Sequence, residues 1–244
     1  MRKIKHVSVI GSGIMGSRIA CHFANIGVKV LLLDICPSQL LDSEKEKGLT
    51  LKDTAVKNRV VKTSFFNTLK TKPSSLYLKE NKENIQLGNI EDDINKIKES
   101  DWIIEVVVEK IEIKEKVFDL VDKNRTKGTL ITSNTSGIPV EEMVKGREKD
   151  FVENFCVTHF FNPPRYMKLL EIVPGKETNK EVTSFLMKYG SLFLGKETVL
   201  CKDTPAFIAN RIGIYSIMSA MHTIDEMGLS VGEVDFLTGP KIGR

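Results

Sequence analysis

Cysteine is sparse in this chain. Its four residues, Cys21, Cys36, Cys156 and Cys201, lie far apart among 244 and form no Cys-x-x-Cys pair. Neither a zinc site nor a disulfide framework is expected, and no metal is assigned. The four thiols read as small buried apolar residues in a reducing compartment, the cytoplasm. Long apolar runs are also missing, for none approaches the ~18 residues that a membrane span needs. No hydrophobic signal core or small-residue cleavage site precedes the first strand-like segment, so secretion is not expected. Neither sign of charge dominates: 36 Lys and Arg face 32 Asp and Glu, a scattered formal charge of +4. That excludes nucleic acid or a membrane surface as the main partner. Repeats and low-complexity tracts are absent. Aromatics are only 7% of the chain, yet 41% of residues are apolar. At ~150 residues per domain, that is enough for one large domain and part of another.

What is present alternates between two periodicities. Residues 5–10 (KHVSVI) read as a strand, followed by a glycine turn and an amphipathic helix to Asn25. Lys29–Asp34 (KVLLLD) is a second strand, apolar on successive residues as expected of a parallel strand covered on both faces. Gln39–Val61 reads as a polar helix, and 67–95 as an irregular exposed arm with one short strand at Ile85–Leu87. Further strands are expected at Asp101–Val108, Thr129–Ser133, Phe155–Phe161, Leu169–Val173 and Thr198–Leu200, with helices at Ile111–Val121 and Thr178–Leu194. This order predicts an α/β fold, a doubly wound and mostly parallel sheet. Antiparallel strands are expected at its end, because residues 162–168 are too few for a crossover. After Asp203-Thr204-Pro205 a long helix over 205–227 opens on proline, closes at Gly228, and gives way to another starting at Ser230. A helix pair cannot bury its own apolar face. Residues 1–202 are therefore read as one domain and 203–244 as the opening of an all-helical second one, whose remainder is expected beyond Arg244.

Gly11-Ser12-Gly13-Ile14-Met15-Gly16 fits G-x-G-x-x-G, follows an apolar strand and opens a helix. In that context the first glycine serves the tight turn and the second lets backbone amides approach a pyrophosphate. The third lets helix and sheet pack closely, as in a Rossmann domain. The phosphates are expected at the helix N-terminus, on the amides of Ile14, Met15 and Gly16. Asp34, 18 residues after Gly16, ends the second strand, where a carboxylate accepts both adenosine ribose hydroxyls and repels a 2′-phosphate. NAD is favoured over NADP, with FAD, which shares the fingerprint, as the lesser alternative.

A dinucleotide fold names no reaction. Of four histidines, His6, His22 and His222 sit where structural roles suffice. His159 instead interrupts an apolar strand, and Glu171 interrupts the next. If the two strands pair antiparallel with residue numbers summing to 330, His159 stands opposite Glu171 at ~5 Å between Cβ atoms. A carboxylate that orients an imidazole and stabilises its cation makes a general base. A buried structural ion pair is the alternative that spacing alone leaves open.

Together with the glycine motif, Ser133-Asn134-Thr135-Ser136, His159-Phe160-Phe161-Asn162-Pro163 and Lys202-Asp203-Thr204-Pro205-Ala206-Phe207-Ile208-Ala209-Asn210-Arg211 stand in one order. In that order they resemble the L-3-hydroxyacyl-CoA dehydrogenases over essentially the whole chain. The resemblance implies NAD-dependent oxidation of (S)-3-hydroxyacyl-CoA to 3-oxoacyl-CoA, as in fatty-acid β-oxidation. It gives His159 the role of base and Glu171 that of its partner. It further implies that Ser136 and Asn210 hydrogen-bond the substrate oxygens, and that Asn134, Ser136, Glu109 and Lys114 lie by the nicotinamide. Gly137 departs from the family's usual second serine, and the lysine-rich arm over 50–84 is longer than the family's. In the family that region contributes to coenzyme A binding, although no single residue of it is assigned here. Asp235-Phe236-Leu237-Thr238-Gly239-Pro240-Lys241-Ile242-Gly243-Arg244 resembles the multifunctional fatty-acid-oxidation branch, whose members join this module to domains such as an enoyl-CoA hydratase. A homodimer is implied for the complete protein. Three other functions are weighed: a 3-hydroxybutyryl-CoA dehydrogenase of a butanoate pathway, a β-hydroxyacid dehydrogenase using a lysine base, and an NAD-binding fragment without activity.

Overall fold

The computed structural model describes residues 2–242. Eight strands form one sheet in the order β3-β2-β1-β4-β5-β6-β7-β8. They are β1 (His6–Ile10), β2 (Lys29–Asp34), β3 (Ile85–Asn89), β4 (Trp102–Glu105), β5 (Leu130–Ser133), β6 (Phe155–Phe160), β7 (Leu169–Pro174) and β8 (Glu197–Leu200). All neighbours are parallel except β6 and β7, so the outward order 3-2-1-4-5-6 of a doubly wound dinucleotide-binding sheet is extended by one hairpin and one further strand. The short 161–168 connection forces the one antiparallel pair.

The helices that matter for the site are α1 (Ile14–Asn25), α2 (Arg59–Lys70), α3 (Ile111–Asn124), α4 (Val140–Val144), α5 (Lys149–Glu153), α6 (Lys180–Leu192), α7 (Ala209–Met227) and α8 (Val231–Thr238). Because successive strand residues face opposite ways, β4 feeds both layers. Trp102 and Ile104 join Phe23, Phe160, Leu170, Leu186 and Tyr189 under α1 and α6, whereas Ile103 joins Val117, Phe118, Val121, Phe151 and Phe155 under α3 and α5. The single tryptophan is the hinge of the first layer: Trp102 meets the edges of Phe23 at 5.2 Å and Tyr189 at 5.9 Å. Its indole N–H donates to Thr132 Oγ1 at 2.9 Å. Burial of each such ring contributes roughly 1.5–3 kcal/mol.

Four expectations need correction. The polar stretch 39–61 is not one helix but two single turns, Asp42–Lys45 and Thr54–Lys57. Gly48 between them takes a left-handed φ of +68°, and Asp53 turns back to accept the Thr50 N–H at 2.7 Å. Continuous helix starts only at Arg59. The strand expected to run to Val108 ends at Glu105: the Val106 N–H still reaches the Ile10 oxygen at 2.8 Å, but the Val107 N–H is taken by the Glu105 carboxylate at 2.7 Å rather than by a neighbouring strand. Of the four cysteines, Cys36 is only half-buried, its thiol near Asn89 Oδ1 at 3.4 Å. Finally, the long helix opens at Ala209 and not on Pro205, because Ala206 and Phe207 take φ of 62° and 48° and form a left-handed turn first.

No residue of α7 or α8 is buried. Along α7, Ile212, Ile214, Tyr215, Ile217, Met218 and Met221 are all exposed. Gly228 ends α7 at φ +60°, and Ser230 opens α8 with a capping box to Glu233. Gly243 and Arg244, the last residues of the tail motif, lie outside the described residues. Among the described residues no helix is long and apolar enough to cross a membrane.

Candidate active site

The parallel strands β1, β2, β4, β5 and β6 all present their carboxyl ends to one edge, where open α/β sheets bind ligands. At the centre is the glycine turn between β1 and α1. A Cβ on Gly16 would stand 1.8 Å from the Gly11 carbonyl oxygen, and one on Gly11, at φ +103°, 2.5 Å from the Val106 oxygen. Both glycines are thus required by backbone contacts inside the fold. Gly13 differs, for a Cβ there would meet nothing within 4 Å. It faces open space at the start of α1, which no side chain caps, so the first-turn N–H groups have no intrahelical acceptor. This turn therefore fits a bound pyrophosphate on its own geometry, with Ile14, 66% exposed, and the half-buried Met15 beside it. Asp34 closes the far side. Its Oδ2 accepts the Ser12 N–H at 2.6 Å and its Oδ1 the Ile35 N–H at 2.7 Å. The carboxylate is held against the turn, where a nucleotide ribose would follow the phosphates.

One step along the edge, β4 and β5 end in a buried polar cluster. Glu105, fully buried, receives Lys114 Nζ at 2.8 and 3.0 Å, the Ser133 hydroxyl at 2.5 Å and the Val107 N–H. Lys114 from α3 is itself buried and reaches Glu109 at 3.3 Å with what remains of its charge. Glu109 accepts the Thr135 hydroxyl, the Ser136 N–H at 2.9 Å and the Ser136 hydroxyl at 3.3 Å. Partial burial works against its charge, but Thr135, Lys114 and Ser136 together hold its carboxyl below the usual range. The segment Asn134-Thr135-Ser136 is thereby fixed by the Glu109 carboxylate and, through the Asn134 N–H at 2.9 Å, by the backbone oxygen of Glu105. Asn134 ties it to the next strand, its Oδ1 accepting the Phe160 N–H at 2.9 Å. Ser136 remains exposed at the edge.

The antiparallel hairpin then brings His159 and Glu171 together. The β6–β7 register sets His159 opposite Glu171. Nδ1 of His159 lies 2.7 Å from Glu171 Oε2 in a buried setting, which leaves Nε2 as the ring nitrogen not engaged by the carboxylate. Phe161 and Phe207 pack their edges on the imidazole at 4.5 and 5.7 Å. The other oxygen of Glu171 accepts the N–H groups of Ile208 and Ala209 at 3.0 and 2.8 Å. A carboxylate at the first turn of α7 gains from the unsatisfied amides and the helix dipole. Asn210, half-buried, is the next residue of that turn. His6 and His222 are exposed, and His22 is buried with its Nε2 at 3.1 Å from the Leu194 oxygen; none of the three is near this pair in the hydrogen-bond network.

Sequence reasoning missed Glu105 and the Ile208 and Ala209 amides. Glu105 ends an apolar strand and could have been flagged as Glu171 was; backbone amides leave no side-chain signal. It also missed Arg18 on α1, which donates to Asn162 Oδ1 and ties the cofactor helix to the turn after His159. Among the described residues no group of three or more His, Cys, Asp or Glu could hold a metal.

A glycine-turn dinucleotide groove, with a buried imidazole–carboxylate contact at the same sheet edge, defines the class: a Rossmann-type dinucleotide-binding domain. Residues 6–204 match the NAD-binding domain of 3-hydroxyacyl-CoA dehydrogenase, and the chain belongs to that family. A Bacillus subtilis protein named "Probable 3-hydroxyacyl-CoA dehydrogenase" is 51% identical over 243 residues, covering 100% of this chain but 31% of that protein. The human mitochondrial hydroxyacyl-coenzyme A dehydrogenase is 30% identical over 98% of this chain and 72% of its own length. Among solved structures, the (S)-3-hydroxybutyryl-CoA dehydrogenase of Ralstonia eutropha superposes with a TM-score of 0.71 at 26% identity, covering 95% of this chain and 75% of that one. The chain thus spans under a third of the Bacillus relative.

Proposed function

We propose that this chain is a dehydrogenase module that oxidises (S)-3-hydroxyacyl-CoA to 3-oxoacyl-CoA in fatty-acid β-oxidation. The observation that carries the reading is the 2.7 Å contact between His159 Nδ1 and buried Glu171, at the carboxyl edge that also bears the glycine turn. Bound NAD supplies the hydride acceptor. Gly11, Gly13, Ile14, Met15 and Gly16 would seat its pyrophosphate and Asp34 its ribose, while Asn134, Ser136 and Glu109, backed by Lys114, would border the nicotinamide. As hydride leaves C3, the 3-hydroxyl proton passes to His159 Nε2. Glu171 balances the imidazolium that results, and Ser136 and Asn210 hydrogen-bond the substrate oxygens. General-base assistance of this kind supplies roughly 10²–10⁴ in rate.

The remaining assignments rest on the same reading. Residues 1–202 form the NAD domain, and 203–244 belong to a helical substrate and dimer domain, for which the exposed apolar side chains of α7 are the support. The complete protein is proposed to act as a cytoplasmic homodimer. The test is an assay of NADH-dependent acetoacetyl-CoA reduction, with oxidation of 3-hydroxybutyryl-CoA compared with free 3-hydroxybutyrate. Turnover of the free hydroxy acid alone would reverse the substrate assignment. A second reading, NAD binding without turnover, draws on the same bare α7 face. Comparing this chain with one extended to the length of its relatives decides it, since equal rates would remove any need for further helices.

A further inference from the structure

Lys196, at the entrance to β8, is a cation in a place that ordinarily excludes one. It is 4% exposed, and no carboxylate lies within ion-pair distance of it among the described residues. Its ammonium instead donates to two backbone oxygens, those of Pro164 and, at 2.8 Å, Met167. Both belong to the turn that links the strand of His159 to the strand of Glu171. The ammonium also lies 6.0 Å from the centre of the Phe160 ring. A buried charge without a counter-ion is costly unless hydrogen bonds satisfy it, so its retention at this spot calls for a function.

The turn it grips is also held at other points, but Lys196 is the side chain that spans it, joining its Pro164 and Met167 oxygens. Within it, Tyr166 and Met167 N–H groups return to the Pro163 oxygen. From outside, Arg18 of α1 donates to Asn162, and Arg165 is anchored on the oxygens of Ser74 and Leu76. The turn begins directly after Phe161, the ring that packs 4.5 Å from the imidazole of His159.

We propose that Lys196 is a positioning residue for the acid–base pair: by holding the Pro164 and Met167 carbonyls it fixes the turn that seats Phe161 against His159. The inference rests on the dehydrogenase reading for its kinetic consequence, though not for its structural one. Charge-assisted hydrogen bonds are roughly twice as strong as neutral ones, so the grip weakens when the ammonium loses its proton. Apart from those two carbonyls, the titratable groups around it do nothing to retain that proton. His22 on α1 is buried and its Nδ1 has no partner, Arg165 on the turn is cationic, and Glu197 beside it on β8 is turned to solvent. Burial lowers the lysine to about 8, which places the change in an accessible range.

The test uses Lys196→Met and Lys196→Arg, with NADH affinity, NAD-dependent oxidation of 3-hydroxybutyryl-CoA and the pH profile of that oxidation as readouts, a direction in which His159 itself adds no alkaline decline. Lys196→Met is expected to bind NADH within about twofold of the parent, to lose at least tenfold in kcat, and to lack the alkaline decline centred near 8. Lys196→Arg, whose guanidinium keeps its charge throughout, is expected to recover most of the rate and to show no decline near 8. A folded Lys196→Met with the parent kcat and pH profile would overturn the proposal. The unaltered protein gives an independent measurement that neither folding of the variant nor the substrate assignment affects. With fluorinated phenylalanine incorporated, the Phe161 resonance should shift with a midpoint near 8. If that resonance stays fixed between pH 7 and 9, the proposal fails. If acetoacetyl-CoA is not reduced at all, the function is wrong while the resonance still decides the role of Lys196.

Discussion

Glu171 serves two partners with its two oxygens, one the imidazole and the other a pair of backbone N–H groups. Glu171→Gln keeps the shape but removes the charge that balances the imidazolium. The expected result is a fall in kcat of roughly 10²–10⁴, with NADH affinity close to unchanged because Glu171 lies away from the glycine turn. Full activity in Glu171→Gln, measured by steady-state kinetics, would show that the pair is structural. Gly13 allows a complementary test of the cofactor groove. A Cβ there meets no protein atom within 4 Å, so Gly13→Ala should leave the melting temperature within a degree or two. It should nevertheless weaken NADH at least tenfold, read by fluorescence titration, since the methyl occupies the approach to the pyrophosphate. Unchanged NADH binding would mean that the phosphates lie elsewhere. Glu105→Gln tests the buried cluster in the opposite sense. Lys114 would keep its charge in the interior without a full counter-charge, and loss of about 3–5 kcal/mol in denaturant unfolding is expected.

The left-handed turn at Ala206 and Phe207 delivers the Ile208 and Ala209 amides to Glu171, and it does so without glycine. A non-glycine residue held at φ of 62° costs about 1–2 kcal/mol. Ala206→Gly should therefore raise stability by up to about 1 kcal/mol, the remainder being lost to the added freedom of the unfolded chain. A lower melting temperature in that variant would contradict this account. The same turn shows why only part of the molecule is legible in its sequence. Short apolar runs bounded by turn residues located β1, β2 and the β6–β7 hairpin to within a residue or two, and a simple register sum set His159 against Glu171. Those features are written in the side chains themselves. The start of α7 is not, because Pro205 reads as a first helical residue while the deciding event is backbone conformation at the next two positions. The arm over 39–61 misled for a related reason. Its Lys and Glu favour helix locally, yet Gly48 and the Asp53 side chain break it, and only tertiary packing decides such contests. Glu105 was overlooked although the strand expected over 101–108 already set it among apolar residues, and only its burial with Lys114 gives it meaning.

Taken as a whole, the molecule has two buried histidines among its described residues, and one of them, His22, should govern its behaviour in mild acid. His22 is pushed down to about 4, chiefly by burial and then by the nearby charge of Lys196. Below its unfolded value of about 6.5 the denatured chain takes up a proton that the native fold refuses, so stability falls with falling pH. The loss should reach about 2 kcal/mol by pH 5. His22→Gln, which can still donate to the Leu194 oxygen, should flatten that dependence between pH 7 and 5 in thermal unfolding. Equal slopes in parent and variant would assign the effect to other groups. The sheet and α7 meet through Glu171, and this has a consequence for anyone recombining such modules. A chimera cut after Cys201 or Lys202, grafting this sheet onto a foreign helical partner, would separate the carboxylate from its two amide donors. Its glycine turn would be intact while its base was left poorly braced, so the graft should bind cofactor and turn over slowly. The inheritable unit of chemistry here therefore extends seven residues past the proposed seam, to the first residue of α7.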